Sequence, residues 1–235
     1  MASDIQQTPF IKQLAANDRP TRDKALESLK TFLSGRRDLP PLELLKLWKG
    51  LFYCLWMSDR PIPQQNLCTS LASLISILPS ETVIPFLRAF WQTMQREWLN
   101  IDVLRMEKFL LLVRRYVGAS FEQLKKGGWK EEEVGEMKEL WGEVPLNVED
   151  LRVPNGIRFH VLDLWVDELE KVGMLEEGNE EVLENLLELV RKLAKDSPTK
   201  AVRKKAKEAL CDERLPGNEQ VEEEELDDGW GGIHE

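Results

Sequence analysis

Apolar residues recur along this 235-residue chain at the spacing of an α-helix, and proline or glycine punctuates each run. That pattern argues against a sheet, because no segment alternates apolar and polar residues between tight turns. Phe10, Ile11 and Leu14 make a short apolar helix that Asp18-Arg19-Pro20 interrupts. Ala25, Leu26, Leu29, Phe32 and Leu33 make a second, which stops at Gly35. Further runs cover 41–57, then 61–78 behind Pro61 and Pro63, then 80–98 and 101–117. Ser58 or Asp59 is placed to cap the helix behind Pro61. The turns are so short that sequential helices have to pack antiparallel. Segment 101–117 is apolar almost all round and is expected at the centre, covered on several sides.

The texture changes after it. Residues 125–155 read as three short helical pieces at most, broken by Gly127-Gly128, Gly142, Pro145 and Pro154. Helix resumes over 157–172, 179–195 and 198–210. Residues 216–235 are acidic and glycine-containing, a tail expected to be disordered when unbound. An internal echo links the two ends of the chain: 14–21 and 193–199 each lead through a polar turn with proline into a helix rich in small residues, the second carrying Val202, Arg203, Ala206, Ala209 and Leu210. Stacked helix pairs are written this way. The expected fold is all-α, a HEAT-like or armadillo-like stack of antiparallel helix pairs over 1–215, an irregular α-solenoid; a generic irregular bundle is the alternative.

Net charge is −10, but its distribution matters more. Residues 1–130 carry 19 Lys+Arg against 12 Asp+Glu, and residues 131–235 carry 13 against 30. An acidic half disfavours indiscriminate binding to polyphosphate, so RNA contact is expected from the first half. Cys54, Cys68 and Cys211 show no paired spacing and leave one thiol over in any disulfide scheme, which points to a reducing cytosolic or nuclear setting. The first residues lack an export signal, and no run is long and apolar enough to span a bilayer.

Catalytic constellations are thin. The chain has two histidines, His160 and His234, too few for a histidine triad or multi-histidine metal site, and no phosphate-loop, dinucleotide or zinc-protease spacing. No cofactor, metal or small-molecule substrate is expected. Asp163, Asp167 and Glu170 share one side of a helix and read as a solvated face. Trp48 and Trp98 serve either as core packing or as anchors for a partner, a role in which tryptophan is enriched. Trp230, in the tail, reads as a short motif awaiting a pocket. Arg96, Arg105, Lys108, Arg114 and Arg115 crowd an apolar segment, so either Glu97, Asp102 and Glu107 satisfy them or they emerge as a ridge for RNA or an acidic partner. Arg60, with only Asp59 beside it, lies on a turn where such stacks bind partners.

Three stretches, LWKGLFYCLWMSDRPIPQQ at 47–65, FLRAFWQTMQREWLNIDVLRMEKFLLLVRRYV at 86–117 and PNGIRFHVLDLWVDELEKV at 154–172, resemble the ribosomal RNA processing protein one family, also called the fifty-two-kilodalton nucleolar protein family. The resemblance implies a nucleolar assembly factor of the large ribosomal subunit, without catalytic residues, acting in precursor maturation near 5.8S and the internal spacer. It implies neighbours that include a Brix-domain protein and a WD-repeat propeller, with precursor RNA secondary. Direct shielding of precursor RNA is the competing role. Within these stretches Trp48, Lys49, Arg158 and His160 join the candidates for partner or RNA contact. A nuclease is the third reading, and the purified protein is expected to leave precursor RNA intact in magnesium or manganese. Metal-dependent cleavage abolished by one carboxylate substitution would reverse this reading.

Overall fold

The computed structural model describes residues 13, 14, 16 and 18–216, and within them every regular element is a helix. Nine α-helices follow in order among the described residues: α1 (Arg19–Ser34), α2 (Pro41–Trp56), α3 (Pro61–Ala72), α4 (Ser80–Glu97), α5 (Val103–Lys126), α6 (Glu131–Glu143), α7 (Asn155–Lys171), α8 (Glu180–Asp196) and α9 (Lys200–Leu210). Single 3-10 turns, Ile75–Ile77 and Trp98–Asn100, follow α3 and α4.

The starts are chemical. Asp18 caps α1 by accepting the Thr21 N–H at 2.9 Å, and Asp102 caps α5 by accepting that of Arg105 at 3.1 Å. Proline stands at the entrance of α2, α3 and α4, where its missing N–H costs nothing. Neither Ser58 nor Asp59 caps α3. Arg60 occupies that position without a side-chain bond, and Ser58 is buried, its carbonyl committed to Lys108 and Gln64.

Three boundaries differ from the sequence expectation. α3 ends at Ala72 because the Ser73 and Ser76 hydroxyls bond back to the carbonyls of Ser70 and Ser73, and the chain tightens into a 3-10 turn. α5 runs on past Val117, since Phe121 and Leu124 prolong its buried stripe, and it stops where Gly128 takes a φ of +74°. The stretch expected as fragments holds one helix, α6. Val134, Met137, Leu140 and Trp141 keep a helical period through Gly135, and three glutamates at its start favour the helix dipole. The irregular part shrinks to 144–154.

Packing follows one rule. α2 lies on α4, α4 on α6 and α6 on α8, while α3 lies on α5, α5 on α7 and α7 on α9. Contacts climb together along each pair: Cys68 meets Lys108 and Leu71 meets Tyr116 between α3 and α5, then Leu110 meets His160 and Arg114 meets Glu168 between α5 and α7. Neighbours within a layer therefore run parallel and hairpin partners antiparallel. This is a two-layered, all-α, solenoid-like stack of helix pairs.

Aromatic side chains fill the space between the layers. Trp48 meets Phe86, Phe90 and Tyr116 with ring centroids 4.9–5.1 Å apart, and Phe52 stacks on Phe109 at 4.6 Å. Farther along, Phe121, Trp141 and Trp165 form a triangle with sides of 5.0–5.2 Å. Edge-to-face geometry of this kind adds to the hydrophobic gain of burial. α5 is central over Phe109–Leu124 but not throughout, because Val103 and Leu104 in its first turn face solvent. Truncating the triangle by Trp141→Ala is expected to cost ~3–5 kcal/mol in a urea titration; a loss within ~0.5 kcal/mol, the range of ordinary surface changes, would contradict the shared-core account.

Candidate functional site

The α2–α3, α4–α5 and α6–α7 turns follow one another along a single edge of the stack, and polar side chains stitch them together. Lys108, buried on α5, donates from Nζ to the carbonyls of Trp56 at 2.7 Å and Ser58 at 2.8 Å, which fixes the first turn. Burial, then the nearby Arg105, lowers the Lys108 pKa, while Asp59 and Asp102 work the other way. The Arg105 guanidinium lies 4.9 Å over the Trp56 ring and pairs with Asp102. Gln95 at the end of α4 reaches Asp150 in the third turn at 3.4 Å. Gly156 lets α7 approach, since a Cβ there would stand 2.9 Å from Trp98 Nε1.

Arg158 holds the third turn from inside. It is 3% exposed and donates to the carbonyls of Asn147, Asp150 and Val153 at 2.5–3.1 Å and to Asn155 Oδ1 at 3.2 Å. An irregular loop has few regular backbone partners, and one guanidinium replaces several of them. Asp150 is held down to about 2 by side-chain and backbone hydrogen bonds from Arg152.

These placements correct part of the sequence reading. Trp48 and Trp98 are core residues, with Trp48 Nε1 spent on the Phe86 carbonyl at 3.0 Å. Lys108 and Arg158 serve buried carbonyls and are closed to a partner. Arg114 is half-buried, bonded to Glu168 at 2.7 Å and Asp167 at 3.1 Å. His160 is half-buried with one ring nitrogen 2.9 Å from the Leu110 carbonyl. The acidic side of α7 stays open to solvent, with the Asp163, Asp167 and Glu170 side chains 38–54% exposed, and it is also paired: Asp163 with Lys205 of α9, and Asp167 and Glu170 with Arg214. Lys49, Arg60 and Arg115 are exposed and make no salt bridge among the described residues; Arg96 is exposed and bonded to Glu97 at 2.7 Å. Trp230 lies outside the described residues. The cue that sequence reasoning missed is position, since Lys108 and Arg158 each fall inside a buried helical stripe.

Cys54 and Cys68 are buried, and burial pushes their thiols up to about 11 and about 12. They are inert core thiols at neutral pH. Among the described residues no group of three or more His, Cys, Asp or Glu side chains converges as a metal site would, and no helix is long and apolar enough to cross a membrane.

A family model described as nucleolar protein, Nop52, matches residues 5–230, a span that includes α1 to α9. The chain belongs to that family. Among curated Nop52-like relatives, ribosomal RNA processing protein 1 homolog A of Mus musculus is 41% identical over 171 residues, 70% of this chain and 34% of the relative. Homolog B of Homo sapiens is 33% identical over 234 residues, 95% of this chain and 31% of the relative. The Caenorhabditis elegans homolog is 33% identical over 170 residues, 71% and 43% of the two chains. This Nop52-family chain thus spans about a third of the length of the first two.

The half-buried His160 gives this chain a measurable pH response. Burial lowers its pKa below 6.5, against the opposing pull of the Leu110 carbonyl and Asp163. The unfolded histidine takes up its proton near 6.5 while the folded one resists, so its contribution is complete above 6.5 and is lost as pH falls through the lower folded value. Urea midpoints are expected to fall from about pH 7 to about pH 5, and less steeply for His160→Gln. Equal slopes for the two proteins would remove His160 from the account.

Proposed function

We propose that this chain is a non-catalytic ribosome-biogenesis factor of the nucleolus, holding other assembly factors and, secondarily, precursor RNA within the large-subunit precursor particle. The observation that carries the reading is membership of the Nop52 nucleolar family, whose curated relatives are named for ribosomal RNA processing. A stack of helix pairs supports it physically, because such arrays present long edges and faces to several partners at once. The family resemblance supplies the finer terms: a Brix-domain protein and a WD-repeat propeller as neighbours, and a position near 5.8S and the internal spacer.

Lys49, Arg60, Arg96 and Arg115 are the contact candidates that remain open to solvent, while Arg105 is half-buried over Trp56 and paired with Asp102. Direct shielding of RNA draws some support from the exposed, unbridged Lys49, Arg60 and Arg115. It draws less from the remaining cations of the candidate set, which are taken up by carboxylates or carbonyls. Binding by counterion release needs a sustained basic surface.

Arg60 separates contact from fold. Arg60→Glu is expected to leave helix content and melting nearly unchanged while weakening recruitment to nucleolar precursor particles. Cells that depend on the variant should accumulate precursor RNA spanning the 5.8S region. Unfolding of the variant would make Arg60 structural, and normal recruitment would remove this turn from the interface. Depletion of the whole protein without any processing defect would end the assembly-factor reading itself.

A further inference from the structure

Residues 192–207 carry seven Lys and Arg against one Asp, although residues 131–235 as a whole carry 13 cations against 30 acids. The fold sets this basic run at the end of the stack. α9 is the last helix of its layer and packs on α7 and α8 through Val202, Ala206 and Leu210, which leaves Lys200, Ala201 and Lys204 exposed on its other side. Lys195, in the last turn of α8, is exposed at the same end of this hairpin. Arg203 is half-buried and donates to the Ser197 carbonyl at 2.7 Å, which pins the turn without neutralising the guanidinium. None of Lys195, Lys200, Arg203 and Lys204 makes a salt bridge among the described residues.

The acids around these four cations are mostly engaged elsewhere. Lys205 takes up Asp163 of α7 and Glu208 of α9, Glu188 of α8 pairs with Lys138, and Arg152 bridges Asp150 in the neighbouring α6–α7 turn. Asp196 and Glu149 are exposed without a salt bridge, two acids against four cations. Glu180, Glu181 and Glu184 lie in the first turns of α8, ~16 Å or more along the helix from Lys195. That distance is beyond the ~8 Å Debye length at physiological ionic strength, so the acidity of the half-chain is largely screened at this end. A protein or lipid partner would need apolar area to bury, and none of the exposed large hydrophobic side chains falls within 192–207. A nuclear-import reading treats the run from Arg203 to Lys205 as a linear motif, yet these residues are folded into a helix with a buried stripe and are not offered as a free peptide. A phosphate backbone needs neither apolar area nor an extended segment; it gains from unpaired cations, because each contact releases a condensed counterion.

We propose that the α8–α9 end of the stack binds the phosphate backbone of RNA through Lys195, Lys200, Arg203 and Lys204. The proposal rests on the secondary contact with precursor RNA named above and places that contact on the last helix pair. It is tested on the full 235-residue chain with a fluorescent single-stranded uridine oligonucleotide of about 20 residues, titrated across a range of potassium chloride. Four phosphate contacts give a slope of log affinity on log salt of about −3. Lys195→Gln with Lys200→Gln and Lys204→Gln should melt with the parent, lose at least about tenfold in affinity at low salt and flatten the slope by about 2. Lys195→Arg with Lys200→Arg and Lys204→Arg keeps the charge and should bind like the parent. A control with Lys24→Gln, Lys125→Gln and Lys126→Gln, three exposed cations elsewhere on the stack, should also bind like the parent. Equal losses in the control and in the α8–α9 glutamine variant overturn the proposal, as do a parent that does not bind and an arginine variant that fails to bind. A larger loss from Lys49→Gln with Arg60→Gln and Arg115→Gln would return RNA to the first half of the sequence instead. Binding that appears only with Glu222→Gln, Glu223→Gln, Glu224→Gln and Glu225→Gln would assign the face to the chain's own acidic residues instead. A glutamine variant that binds RNA like the parent but fails to enter the nucleus would assign these cations to import instead. RNA binding is read in purified protein and precursor processing in cells, so either reading can fail while the other stands.

Discussion

Tyr116 joins the two layers where the first two helix pairs meet. Its ring stacks on Phe90 at 4.1 Å and meets the edge of Trp48 at 5.1 Å, so one side chain of α5 packs against α4 and α2 together. Its hydroxyl donates to the Leu71 carbonyl of α3 at 2.6 Å. Burial raises its pKa well above 10, which keeps the phenol neutral and a donor. A helix pair in such a stack cannot bury its apolar face alone and is stable only against its neighbours. The residue that touches α2, α3 and α4 from α5 therefore sets the spacing to which the later pairs conform.

Buried cations solve a second problem that helix packing creates. Every hairpin turn interrupts regular hydrogen bonding, and the turns of this edge lie against the core where water is scarce. Carbonyls left unpaired there would cost ~1–3 kcal/mol each. Lys108 supplies two donors to the first turn, and Arg158 supplies several to the third. Arg has the better geometry for the wider loop, since its planar fork serves acceptors in several directions. Farther along, Arg114 joins α5 to α7 through Glu168 and Asp167, and Arg214 joins α7 to the segment after α9 through Asp167 and Glu170. Charge in this fold is largely spent on holding turns and layers in register.

The helices were legible because their apolar period and their proline entrances are local properties. α6 was not, because Gly142 and Pro145 read as breaks unless one knows that Val134, Met137, Leu140 and Trp141 have neighbouring helices to pack against. Trp48 and Trp98 carried an open choice between core and interface, and only neighbours distant in sequence, Phe86 and Gly156, decide it. Lys108 carried a similar choice between a local carboxylate and an outward ridge, and Arg158 stood among the contact candidates; their true partners are carbonyls of turns whose shape no local pattern specifies. The exposed Leu104 falls in a segment expected to be covered on several sides, because periodicity gives the direction of a side chain but not where the covering layer ends. Helix existence thus came from local signals, and the use of each polar or aromatic side chain came from tertiary context.

The charge asymmetry of the sequence takes a different form in three dimensions. A surplus of cations in residues 1–130 suggests a basic surface, yet the pairing of Arg96, Arg105, Arg114 and Lys108 leaves isolated exposed cations such as Lys49, Arg60 and Arg115. Paired surface charges still contribute to the long-range field that orients a partner, while contributing little to affinity at contact. Affinity at such a surface has to come from burying apolar area, and the most exposed aliphatic side chains, Leu99, Val103 and Leu104, lie together where α4 passes into α5.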